Sequence, residues 1–110
     1  MPRRDDDFVG YQPTGIETEN TQPTEYSLNQ NYPNPFNPAT TISYSIPQAG
    51  NVSLKIFNVL GQEVKSLVNE YQNAGIYKLT FDASALTSGA YFYSLSTDNF
   101  LQVKKMMLVR

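Results

Sequence analysis

The carboxylates Glu63, Glu70, Asp82 and Asp98 are the acidic side chains of residues 31–110, and each falls in a separate strand or loop of the sequence pattern. A paired-carboxylate hydrolase would need two of them to converge by accident of folding. Histidine is absent, which removes the usual general base and the commonest transition-metal ligand. Cysteine is absent too, which excludes disulfides, thiolate nucleophiles and zinc–thiolate sites and leaves the redox compartment open. No serine stands in a Gly-x-Ser-x-Gly elbow, and Ser88-Gly89 reads as a turn. Asp5-Asp6-Asp7 lacks the spaced ligands and the glycine of a calcium loop, so it reads as a solvated charge run. The sequence therefore assigns no catalytic, cofactor-binding or metal-binding residue, and the chain reads as a non-enzyme.

Charge and composition narrow the binding classes. Eight basic residues against ten acidic ones, with a pI near 4.9, offer little phosphate neutralisation, so nucleic acid is not an expected partner. Lys104, Lys105 and Arg110 concentrate positive charge late in the chain, where lysines also guard a sheet edge against unwanted pairing. Eight tyrosines and six phenylalanines invite a carbohydrate-binding reading, but most of them lie on the inward-facing positions and are expected in the core. Asn51-Val52-Ser53 has the form of a glycosylation acceptor, a triplet frequent by chance. No apolar run approaches the ~20 residues of a membrane-spanning helix. Met1-Pro2-Arg3-Arg4-Asp5 opens no signal peptide, because no apolar stretch follows it. Export would need an entry signal further upstream.

The segment Asn31-Tyr32-Pro33-Asn34-Pro35-Phe36-Asn37-Pro38 has a definite shape of its own. Three prolines fix φ, remove backbone donors and push the preceding residues toward extended geometry, so neither a helix nor a central strand can form here. Asn34 and Asn37 can close Asx turns, and the rings of Tyr32 and Phe36 are expected to close the edge or opening of a small β domain.

All seven prolines lie at or before Pro47, whereas apolar alternation begins only at Thr41. Residues 1–27 are poor in large apolar side chains and read as a flexible, disordered linker or cargo remnant, and residues 28–110 as the folded domain. Charge agrees. Residues 1–30 carry two basic and six acidic groups, and residues 31–110 carry six and four. In the folded part, Ile42, Tyr44 and Ile46 alternate with polar residues, as do Val52, Leu54 and Ile56, then Tyr77, Leu79 and Phe81, then Tyr91, Tyr93 and Leu95. Val64 and Leu67-Val68 suggest a shorter, weaker strand, and Phe100 to Arg110 a final one. Gly61, Gly75 and Gly89 read as turn glycines, residues 83–89 as one helical turn crossing between sheets, and Asp98-Asn99 as a tight turn. About seven short strands with almost no helical period predict an all-β, immunoglobulin-like antiparallel sandwich, with a small barrel as the alternative.

Five ordered blocks then carry a resemblance. Asn31 to Pro38, Thr41-Ile42-Ser43-Tyr44, Val52 to Gly61, Ala74-Gly75-Ile76-Tyr77 with Leu86 to Leu95, and Lys104 to Arg110 resemble the C-terminal sorting domain of type IX secretion substrates, over about residues 26–110. Tyr32, Pro33, Asn34, Pro35, Phe36, Asn37, Pro38, Gly61, Gly75, Ser88, Gly89 and Tyr91 are the motif positions. The resemblance implies a label that directs an upstream cargo, in proteins of Bacteroidota and related phyla, through the periplasm to the cell surface. Its implied partners are an outer-membrane translocon, a shuttle protein and a sortase that cuts in the linker. It also implies that the terminal segment, with Lys104, Lys105, Met106, Leu108 and Arg110, is presented to the translocon. The cargo would lie upstream, since 27 residues cannot form a functional domain. The immunoglobulin-like domain of flagellar hook-capping proteins shares the Leu-Gly turn and the Ser-Gly-Ala-Tyr-Phe-Tyr-like strand, so a structural assembly module stands as the alternative, with a carbohydrate-binding accessory domain third.

Overall fold

A computed structural model describes residues 23–110, and the linker expectation for residues 1–27 falls almost entirely outside them. Seven strands follow in order: β1 (Ser27–Leu28), β2 (Ala39–Ile46), β3 (Gly50–Phe57), β4 (Glu63–Gln72), β5 (Gly75–Asp82), β6 (Gly89–Ser96) and β7 (Leu101–Leu108). They form two antiparallel sheets, β1-β2-β5 and β4-β3-β6-β7. This is the expected all-β, immunoglobulin-like sandwich, with the fourth strand on the sheet of β3, β6 and β7.

Period-two alternation builds the core. Ile42, Tyr44 and Ile46 of β2, Val52, Leu54 and Ile56 of β3, and Tyr91, Tyr93 and Leu95 of β6 all point between the sheets and are buried. Phe81 of β5 joins them, and so do Met106 and Leu108 of β7. Each such side chain contributes about 1.5–3 kcal/mol on leaving water. Tyr44 stacks on Tyr77 of the neighbouring strand at 5.3 Å, and its Oη donates to Gln72 Oε1 at 2.6 Å, which ties β2 to the end of β4 across the sandwich. Tyr26 stacks on Phe100 at 5.1 Å just before β1 begins.

Several expectations need correction. The fourth strand is not short: β4 runs ten residues, the longest of the seven. Its pairing with β3 slips between Leu54 and Lys55 and again between Ile56 and Phe57, so Leu67 and Val64 are extra residues without a direct partner. Each bulge shifts the side chains beyond it to the other face, which erases the period that marks a strand in sequence. Residues 83–88 do cross between the sheets but make a β-turn, closed by Leu86 N–H donating to Ala83 O at 2.9 Å, and not a helical turn. Gly61 has φ +81 in the β3–β4 loop, and Gly89 has φ +146 at the start of β6. Gly75 is not a positive-φ turn glycine; it opens β5, where an added Cβ would meet the Tyr77 ring at 3.6 Å. The Asp98-Asn99 hairpin forms, with Thr97 N–H donating to Phe100 O at 2.8 Å.

Candidate recognition surface

Residues 30–38 leave the first sheet, cross to the free side of β7, and return to start β2. Tyr32 and Thr41 exchange both backbone hydrogen bonds, at 3.0 and 2.9 Å, on the β2 side. On the β7 side, Phe36 N–H donates to Met107 O at 2.9 Å and Val109 N–H donates to Phe36 O at 2.9 Å, a single parallel bridge. Two side chains extend it: Asn34 Oδ1 accepts from Met107 N–H at 2.9 Å, and Gln30 Nε2 donates to Lys105 O at 2.8 Å. Asn34 therefore spends its carbonyl on a distant strand and does not close the local Asx turn that its position before proline suggests. The peptide bonds before Pro33, Pro35 and Pro38 are cis.

A buried polar knot holds this clasp in place. Asn31, only 2% exposed, donates from its backbone N–H to Tyr93 Oη at 2.8 Å, and from Nδ2 to Thr40 Oγ1 at 3.0 Å and Pro33 O at 3.1 Å. Thr40 Oγ1 donates onward to the same Pro33 carbonyl at 2.9 Å, and Tyr93 Oη donates to Asn29 O at 2.7 Å. Every member has a partner, as buried polar groups require. Burial pushes the Tyr93 phenol above its ordinary pKa, against the lowering influence of the Asn31 hydrogen bond. The knot links residues too far apart in sequence for pattern reading to join them.

The two rings of the motif part company. Phe36 is buried against Phe81, with ring centroids 6.3 Å apart. Tyr32 is 80% exposed, so it does not help to close the sandwich. Its backbone is spent on the bridge to Thr41, and alternation then turns its ring outward.

The terminal basic segment divides by the same alternation. Met106 and Leu108 point into the core and are fully buried, so the folded domain does not present their side chains at its surface. Lys105 is exposed and Lys104 half-buried, and neither forms an ion pair among the described residues, where Lys55–Glu63 at 3.5 Å is the one such pair. Arg110 folds back on the 83–86 turn, its guanidinium donating to the carbonyls of Ala83, at 3.2 Å, and of Ser84 and Leu86. Nearby, the hydroxyl and backbone N–H of Ser84 hold the Asp82 carboxyl below its usual range, with Arg110 adding a smaller pull. Asp82 is thus occupied by its own loop, and Ser88, Gly89 and Tyr91 line an apolar hollow of about 320 Å³ with Val59 and Leu60. Tyr91 Oη donates to Thr87 O at 2.8 Å, a brace within that crossover. Among the described residues no group of three metal-ligating side chains converges, and no helix is long and apolar enough to cross a membrane.

The result is an all-β sandwich whose proline-rich entry is stitched to strand β7. Residues 30–109 match the family of secretion-system C-terminal sorting domains, and the chain belongs to that family. It is a family of sorting signals for type IX secretion and not of enzymes, and such a signal implies export to the cell surface or beyond. No curated protein matches the chain.

Proposed function

We propose that this domain is the address read at the outer membrane for a cargo carried upstream in the same polypeptide. Its readers are an outer-membrane translocon and its shuttle protein, met in the periplasm, and a surface sortase then cuts in the residues before the domain. The observation that carries this reading is the family match over residues 30–109, which includes both the proline-rich clasp and the strand it holds. Recognition centres on the β7 segment. Lys105 and half-buried Lys104 supply positive charge that has no ion partner among the described residues, while Met106, Leu108 and Arg110 fix the strand that displays it.

The test fuses residues 26–110 behind a signal peptide and a passive reporter in a host with a type IX translocon. The reporter should reach the surface, and should stay in the periplasm when the translocon is deleted. Surface delivery that persists in the deletion strain would defeat the sorting reading.

A further inference from the structure

The clasp covers only half of the free edge of β7. Outward-pointing backbone groups at Lys105 O, Met107 N and O, and Val109 N are taken by Gln30, Asn34 and Phe36. Because a strand's hydrogen-bonding direction alternates, Leu101 and Val103 point their N–H and C=O groups the same way, together with the N–H of Lys105. These groups have no partner among the described residues. The stretch also has no bulge, with unbroken register against β6 from Leu101 to Leu108, and is apolar, with Leu101 69% and Val103 52% exposed. Folded proteins normally blunt such an edge with bulges, prolines or charged side chains, lysine above all. Here Lys104 and Lys105 lie along it, and β1 passes beside it without bonding to it, with Tyr26 stacked on Phe100 at one end and Gln30 bonded to Lys105 O at the other.

We infer that the open edge Leu101–Lys105 is a docking site for an added strand, an extended acidic and apolar segment of an outer-membrane export component. The inference rests on the sorting reading above. The clasp already shows that this edge accepts an extended chain, and an incoming strand would continue the line that Asn34 and Phe36 begin. Main-chain bonds to Leu101 and Val103 would supply affinity, as in other strand-addition complexes. Apolar side chains would lie beside Leu101 and Val103, and carboxylates would meet the charges of Lys104 and Lys105.

Backbone chemistry gives the test. In the full chain fused behind a signal peptide and reporter, Val103→Pro deletes one outward N–H and no bond to β6, so the folded domain should persist by circular dichroism. Export should fall at least tenfold. A photoreactive benzoylphenylalanine at position 101 should crosslink to a mapped segment of an outer-membrane export protein, and Val103→Pro should abolish that crosslink. Should the proline variant fail to fold, the Leu101→Asp, Val103→Asp pair decides, since it repels an acidic strand without touching the β6 ladder; it too should lose export tenfold. Normal export of either folded variant overturns the proposal. So does a crosslink to a second copy of the domain or to residues 1–22 of the same chain. A parent fusion that never reaches the surface would instead defeat the sorting reading, and the docking edge with it.

Discussion

β4 and β7 occupy equivalent places, the two outer strands of one four-stranded sheet, yet they solve the edge problem in opposite ways. β4 carries two bulges and an almost wholly exposed sequence, with Glu63, Lys65 and Glu70 along it. Bulges and charge make it a poor template for another strand, at little cost to the core because β4 buries so little. β7 has no bulge, sends Met106 and Leu108 into the core, and is covered by a separate piece of chain from Lys105 to Val109. An edge that must contribute to packing cannot be bent away, and the half that carries Met106 and Leu108 is the half that is covered.

The comparison can be broken most strongly at Phe36. Phe36→Ala removes a buried ring from the clasp and should cost about 3–5 kcal/mol in urea unfolding, whereas Val64→Ala on β4 should stay within about 0.5 kcal/mol. Comparable losses at the two sites would show that the edges are not functionally distinct. Tyr93→Phe is next. It leaves the buried Asn31 N–H without its acceptor, and a loss of about 1–3 kcal/mol is expected from the unfolding midpoint. The pH profile sharpens the same point. Burial raises the phenol pKa of both Tyr44 and Tyr93 above the ordinary value of about 10, so their stabilisation is present below that pH and lost as pH rises through the raised folded values. Unfolding midpoints followed from pH 8 upward should therefore hold steady to about pH 10 and then decline, less steeply in Tyr93→Phe.

Much of this contrast was invisible in the sequence, for identifiable reasons. Strands β2, β3 and β6 are legible because each keeps one face buried, and β5 because one face is half-buried up to buried Phe81 while the other is exposed, so alternation survives in the residue order. In β4 the extra residues Val64 and Leu67 break that period twice, and a long strand reads as a fragment. The proline-rich motif announced a shaped segment, but not which ring would be inside. That depends on Tyr32 bridging to Thr41 while Phe36 reaches β7, a choice made by partners nine and 72 residues away. Asn31, Thr40 and Tyr93 could not be grouped from sequence either, since isolated polar residues carry no periodic signal of a shared buried network. Lys104 and Lys105 were legible as charge, whereas the open edge beside them follows only from which backbone groups the clasp leaves free.

Smaller effects should separate the edges by role. Asn34→Ala removes the acceptor for Met107 N–H and should cost about 0.5–1.5 kcal/mol, with faster hydrogen exchange at Met107 as its local signature. Unchanged exchange there would mean that the Asn34 bond does not help to hold the clasp on β7. Replacing Lys104 and Lys105 together with Gln keeps the stems that pack along β7, so stability should move by no more than about 0.5 kcal/mol while reporter export drops sharply. Normal export of that pair would leave the charges as edge guards only. On β4, Glu63→Gln breaks an exposed ion pair and should change stability by about 0–1 kcal/mol, diminishing further in high salt.

The bond from Met107 to Asn34 spans 73 residues, and the Phe36 bridge to Leu108 nearly as many. Contacts of such separation form late, after the intervening hairpins have shortened the effective loop between them. A nascent polypeptide that halts before Met107 could thus pair β2 with β5 and still leave Phe36 without its backbone partners. The clasp makes completion of the domain conditional on synthesis having passed that residue. A chain cut short before that residue would leave Asn34 and Phe36 without their partners on β7.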